Sequence, residues 1–193
     1  DTAIYRGKDF DDLPGHRRRH LLNTGFQKMD VHDYGGDVAG AHRASELWDA
    51  GITGAGIKVA VFDTGLRDGH PHFRNVEERL NWTDEPSLGD ELGHGSFVAG
   101  IIASQMECLG FAPDARLFTH RVFTNQQVSF TSWFLDAFNY VIQSGVDVLN
   151  LSIGGPDFLD RPFVEKVREL SANGVIVVSA IGNDGPDWGT LNS

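Results

Sequence analysis

An α/β fold, with a mostly parallel sheet layered between helices, is what this 193-residue sequence predicts. Two observations predict it. From about residue 41 onward, β-rich runs alternate with helical patterns, the signature of βαβ units and of a sheet covered on both faces. Three of those runs also close on short polar, glycine-containing signals, where sheets of this kind present groups to ligands.

The elements follow in order. Residues 1–40 are rich in Gly, Asp, His and Arg without sustained periodicity and read as a linker, or as the tail of a preceding segment. Residues 41–193 form the folded unit. Ala41–Ala50 is predicted as a short helix stopped by Gly51. Gly54 and Gly56 then turn the chain into the run Ile57–Phe62. Further β-rich runs lie at Leu117–Phe123, Val146–Ile153 and Val175–Ala180. Helical patterns separate them at about Ser96–Gln105, Thr131–Gln143 and Pro162–Ala172. The last carries Pro in its first turn and stops before Asn173-Gly174, as helix boundaries prefer.

Composition narrows the function classes. With 13 Phe, 4 Trp and 3 Tyr the chain can fill a core. Residues 1–30 hold six Lys/Arg against five Asp/Glu, so the formal charge of −11 rests on the remainder. So acidic a body repels nucleic acid and favours cationic partners. The single cysteine, Cys108, excludes an internal disulfide and reads as a structural thiol. No apolar run approaches the ~20 residues of a membrane span, so any anchor is expected outside these residues. The triplet Asn81-Trp82-Thr83 hints at the secretory route; Asn150-Leu151-Ser152 fits the same pattern, but its apolar neighbours suggest a buried strand.

Four signals carry chemistry. Asp63-Thr64-Gly65 follows Ile57–Phe62, Ser152-Ile153-Gly154-Gly155 closes the third run, and Asn183-Asp184-Gly185 follows Val175–Ala180 after a short turn. The fourth, Gly93-His94-Gly95-Ser96-Phe97-Val98-Ala99-Gly100, places a histidine at a helix N-terminus between glycines that allow close approach. Taken singly, each has an ordinary explanation: a strand-end turn, a packed imidazole, a tight turn. Together they make one machine. An Asp orients an imidazole and stabilises its charged form, the His takes a proton from a nucleophile, and an Asn amide donates to a developing oxyanion. Asp68, His70 and His72 are metal-ligand types, yet the two histidines flank a proline in a turn and no fourth ligand accompanies them, so no metal site is read there.

Three motifs in this order resemble those of the subtilases, serine proteases of the S8 family. Val59–Gly65 is similar to their Asp motif. Residues 93–100 are similar to their His motif, with Ser96 where Thr is usual and Phe97 where His often stands. Val178–Gly185 is similar to their oxyanion Asn motif. The separation of 31 positions between Asp63 and His94 suits the family, as does the chain order Asp, His, Ser. Longer stretches, Gly69–Phe73, Asn81–Thr83, Phe130–Tyr140 and Asp147–Asp157, resemble a membrane-anchored Golgi branch of it.

That resemblance implies a three-layer subtilisin-like domain with Asp63, His94 and Asn183 as catalytic residues. It implies Ser152, Ile153 and Gly154 as the edge on which a peptide substrate lies, with Gly154 and Gly155 leaving room for its backbone. Asp157 is expected to attract a substrate arginine and Asp160 is a weaker candidate for the same role. The implied specificity is Arg four residues before the cut with an apolar residue near it, in lumenal regions of membrane-bound precursors, transcription-factor precursors among them. The implied setting is the endoplasmic reticulum or Golgi lumen. The resemblance also implies a zymogen whose own pro-segment is a partner and is removed by self-cleavage. Arg19-His20-Leu21-Leu22 matches that specificity and is expected to be cut after Leu22. Calcium is implied by the resemblance alone, and Ser104–Leu109 is too short for the loop that carries the family's tight site.

The family's Gly-Thr-Ser-x-Ala nucleophile motif does not occur in the 193 residues, and Ser193 is no substitute. The serine and the later strands are expected beyond residue 193, and the 193 residues alone are expected not to complete acyl transfer. A catalytically inactive subtilase that binds peptides is the alternative, and downstream sequence with the serine motif separates the two. An aspartic protease shares Asp-Thr-Gly but is all-β. A nucleotide-binding domain is disfavoured because Gly54-Ala55-Gly56 precedes its strand instead of following it.

Overall fold

A computed structural model describes residues 3–6, 38–154, 160–186 and 188–190. Its centre is a five-stranded, wholly parallel sheet in the order β3-β4-β2-β6-β7. The strands are β2 (Lys58–Asp63), β3 (Val76–Asn81), β4 (Arg116–Arg121), β6 (Val148–Leu151) and β7 (Ile176–Ser179). A separate antiparallel pair joins β1 (Ala3–Arg6) to β5 (Val128–Phe130). The helices are α1 (Val38–Ala41), α2 (Ala44–Asp49), α3 (His94–Ala103), α4 (Thr131–Ser144) and α5 (Arg161–Ala172).

The strand period of two sorts the core into two layers. Ala60 and Phe62 of β2 face one side, where they meet Phe134 and Phe138 of α4 and Leu170 of α5. Phe62 stacks on Phe138 with ring centroids 5.3 Å apart and planes 16° from parallel. Val59 and Val61 face the other side, against Ala99 and Ala103 of α3 and Leu117 of β4. Asp63 shares the parity of Val59 and Val61, so its side chain is delivered to the α3 side. The site rests on that parity.

Helix ends follow local chemistry. Gly145 takes the left-handed conformation after α4 (φ 61°), and its N–H reaches the carbonyls of Val141 and Ile142. Asp160 caps α5: its carboxylate accepts from the Phe163 N–H, and its second oxygen accepts from the Thr131 hydroxyl at 2.6 Å. Asp160 thus serves as the N-cap that joins the start of α5 to the start of α4.

Three expectations need correction, and one strand is added. The helix at Ala41–Ala50 is two pieces, because Arg43 lies in the left-handed region (φ 58°) between α1 and α2. Strand β3 is an addition to the expected elements: Glu77-Glu78-Arg79 offers no apolar alternation, and among the described residues the strand is an edge with β4 on one side alone. Within the segment expected to be irregular, Ala3–Arg6 forms a strand and α1 begins at Val38. Cys108 is exposed at φ 61°, so it is not a packed core thiol.

Candidate active site

The site forms where the carboxyl end of β2 meets the first turn of α3. β2 is the central strand, with β4 on one side and β6 on the other. α3 lies on one face and α4 and α5 lie on the other. Crevices outside the carboxyl ends of strands at such reversals are where open α/β sheets bind ligands.

Asp63, the last residue of β2, is 2% exposed, and its Oδ1 accepts from the Thr64 N–H at 2.7 Å. The same oxygen lies 2.8 Å from Nδ1 of His94. Its Oδ2 is buried without a hydrogen-bond partner among the described residues. The His94 side chain is 55% exposed. Hydrogen bonding to Asp63 raises the His94 pKa above 6.5, opposed by burial and aided by the negative charges of Asp63 and Asp90. Nδ1 serves the carboxylate, leaving Nε2 as the nitrogen that can exchange a proton with a bound group.

Close approach makes the contact. A Cβ on Gly95 would stand 2.2 Å from the Gly65 carbonyl oxygen and 3.2 Å from Asp63 Cβ. A Cβ on Gly65, itself at φ 110°, would stand 2.6 Å from the Gly89 oxygen. The glycines of the two motifs are therefore fitted to each other and to the loop before His94.

That loop, residues 84–93, is tied down by polar groups that motif reading did not single out. Asp90 is buried, and its Oδ1 accepts from the Thr64 hydroxyl and the Gly93 N–H, both at 2.8 Å. Its Oδ2 accepts from the Ser96 N–H at 2.8 Å and the Ser96 hydroxyl at 2.7 Å. Burial works to raise the Asp90 pKa, but these hydrogen bonds outweigh it and hold it below 3.8. Arg121, whose side chain is fully buried, donates to the Ser87 and Gly89 carbonyls and pairs with Glu85. Arg79 donates to the Leu66 and Leu88 carbonyls and pairs with Asp68. The one hint in the sequence is that Asp90 stands four residues before His94.

The other expected residues lie as follows. Ser152, Ile153 and Gly154 run on half-buried past the end of β6, where the β6–β7 ladder stops at Leu151 and Ser179. The Ser152 hydroxyl accepts from the Asn150 side-chain amide at 2.7 Å. Asn183 is exposed in the loop that follows β7. Asp157, Gly155 and the Arg19–Leu22 segment lie outside the described residues.

Asn81 does not suit glycan attachment. Its amide nitrogen donates to the Glu85 and Ser87 carbonyls while its oxygen accepts from Thr83. The short segment set against the family's tight calcium site offers one acidic side chain. Residues 104–110 close tightly through the Gly110 N–H to the Ser104 carbonyl at 2.9 Å and contribute one carboxylate, Glu107. Among the described residues no group of three or more His, Cys, Asp or Glu side chains is placed to hold a metal ion.

Comparison with known proteins agrees with this geometry. The model of the subtilase family of S8 peptidases matches residues 54–193. The human membrane-bound transcription factor site-1 protease is 69% identical over 156 residues, covering 81% of this chain and 15% of that protein. The subtilisin-like protease SBT6.1 of Arabidopsis thaliana is 64% identical over 176 residues, 91% of this chain and 16% of that protein. The major intracellular serine protease of Bacillus subtilis (strain 168) is 37% identical over 173 residues, 84% of this chain and 53% of that protein. The chain thus spans about one-sixth of the length of the first two.

Proposed function

The chain belongs to the subtilase family, and from that premise we propose that it supplies the acid–base half of a serine endopeptidase of the site-1 protease type. The observation that carries the reading is the 2.8 Å contact between His94 Nδ1 and the buried Asp63 carboxylate at the end of the central strand. In this reading Asp63 fixes the tautomer and orientation of the ring, so that Nε2 takes the proton of a serine hydroxyl as it attacks the scissile carbonyl. The same nitrogen then returns the proton to the leaving amine, while Asp63 balances the imidazolium formed between the two steps. The attacking serine belongs to sequence beyond residue 193. Asn183 serves as an oxyanion donor from the loop after β7, a role whose loss costs ~10²–10³ in rate in the subtilisin example.

The substrates are proteins cut at Arg-x-x-Leu-like sites in lumenal regions of membrane-bound precursors, including transcription-factor precursors. The protein works in the endoplasmic reticulum or Golgi lumen, held to the membrane by segments outside these residues. Peptide backbone adds along Ser152–Gly154, and Asp157 attracts the substrate arginine. β5 supports strand addition as the mode of binding, because it already takes an extended segment of four residues in antiparallel register. The pro-segment is removed by cleavage after Leu22, which Arg19→Glu is expected to block. The decisive experiment is hydrolysis of an Arg-x-x-Leu peptide by the full-length protein. Wild type is expected to cut and His94→Ala to lose at least about 10³-fold in kcat. A His94→Ala protein with near wild-type turnover would end the proposal.

A further inference from the structure

We propose that Asp90 is a positioning residue that holds His94 in register with Asp63, an inference that rests on the endopeptidase reading above. An α-helix begins with N–H groups that lack intrahelical acceptors, and a side chain at the N-cap position ordinarily satisfies one of them. Here the N-cap is Gly93, which has no side chain to offer. Asp90 takes over from outside the helix and accepts the Gly93 and Ser96 N–H groups, on either side of His94. The remaining flanking N–H, that of Gly95, goes to the Thr64 hydroxyl at 3.0 Å, and that hydroxyl in turn donates to Asp90. Thr64 also donates its own N–H to Asp63.

One carboxylate therefore ties together the residue after the acid and the residues on both sides of the base. The Ser96 hydroxyl extends the network by accepting from the Arg67 N–H at 2.9 Å while donating to Asp90. All four hydrogen bonds to Asp90 fall between 2.7 and 2.8 Å and fill both oxygens. No other carboxylate in the loop has this role: Asp84 is exposed, Glu85 turns to Arg121 and the Asn125 N–H, and Glu91 accepts from the Ser87 hydroxyl and lies near Arg121. Asp90 also acts through charge. The anions that raise the affinity of His94 for a proton are two, Asp63 at contact and Asp90 behind the helix start.

Asp90→Asn tests both parts. An amide cannot accept at both ends, so its NH₂ would face either the Ser96 donors or the Thr64 and Gly93 donors, and the network must open on one side. In the full-length protein, Asp90→Asn is expected to lower kcat on an Arg-x-x-Leu peptide by about 10²-fold with KM within about threefold, as for loss of alignment at a reacting group. A second readout needs no peptidase activity. His94 is the one histidine between Arg79 and Arg116. Its acylation by diethyl pyrocarbonate can therefore be followed against pH by mass spectrometry of the tryptic peptide 80–116. The midpoint for Asp90→Asn is expected to move to lower pH than wild type.

Wild-type kcat together with a wild-type midpoint would overturn the positioning role while leaving the endopeptidase reading intact. A moved midpoint in a wild-type background that cuts no peptide would remove the endopeptidase reading and keep the coupling of Asp90 to His94. If Asp90→Asn does not fold, Ser96→Ala decides. It removes the hydroxyl bond to Asp90 and keeps the charge, so kcat should fall about tenfold with the midpoint little changed. Unchanged kcat in that variant overturns the inference.

Discussion

Acidification should weaken this domain through His120, a residue with no part in the chemistry. The residue is 1% exposed, with its ring centroid 4.7 Å from that of Phe62 and 6.0 Å from that of Trp82, on which it stacks. Nδ1 accepts from the Trp82 indole N–H at 3.0 Å, a bond that needs that nitrogen unprotonated. Burial pushes its pKa down from 6.5 to about 3. The sign follows from proton counting. Between those two values the unfolded chain binds the proton and the folded one does not, so stability is full above the unfolded pKa and is lost as pH falls toward the folded one. With these two values the loss is about 2 kcal/mol at pH 5 and approaches a ceiling of about 5 kcal/mol below pH 3.

The assay is urea unfolding of the full-length protein from pH 7.5 to 5, with His120→Asn as the comparison. Asparagine can still accept from Trp82 but carries no titrating proton. The variant starts less stable at pH 7.5 because it leaves space beside Phe62. The gap should close by about 2 kcal/mol at pH 5, since the other titrating groups cancel in the difference. Curves that run parallel across this range would refute the reasoning.

Other perturbations probe the site and its support. Gly95→Ala must push α3 away from the Gly65 carbonyl, and peptide hydrolysis should fall by about 10²-fold while urea unfolding moves less; near-normal kcat would contradict the tight fit. The acid limb of kcat/KM should lie above pH 6.5, because the bond to Asp63 favours the imidazolium and the neutral base is lost as pH falls through that raised pKa; a limb below 6.5 would count against the contact. Arg121→Met leaves Glu85 without its partner and the Ser87 and Gly89 carbonyls without their donor, and should cost about 3–5 kcal/mol in unfolding free energy; a loss under about 1 kcal/mol would contradict the anchoring role.

The parts of this site that could be read from the residues alone were those set by local rules. Asp63 was legible because it ends a β-rich run, and His94 because glycines flank it at a helix start. Helices α4 and α5 were legible from their periods, and α5 also from Pro162 and Asn173-Gly174 at its boundaries. What escaped depends on contacts between segments distant in sequence. Strand β3 exists because β4 pairs with it, not because Glu77-Glu78-Arg79 favours a strand. Asp90 looks like one acid among several between Asp84 and Glu91, and only the folded loop aims it at Thr64 and Ser96. Asn81 shows a different limit: its triplet is a valid acceptor pattern, yet the turn that follows it folds back so that the Glu85 and Ser87 carbonyls take the nitrogen a glycan would need.

The route the chain takes between Asp63 and His94 has a consequence for how the site can be tuned. After Asp63 the chain runs out to β3, the outermost strand, and returns through the loop that Arg79 and Arg121 anchor. The acid is thus set in the middle of the sheet, while the base hangs from an arm rooted at its rim. Changes on β3, or to Arg121 where β4 ends beside Asp63, have leverage over His94 through that loop. Variation in activity among natural or engineered versions of this domain should therefore trace to the sheet's outer edge as readily as to the cleft itself.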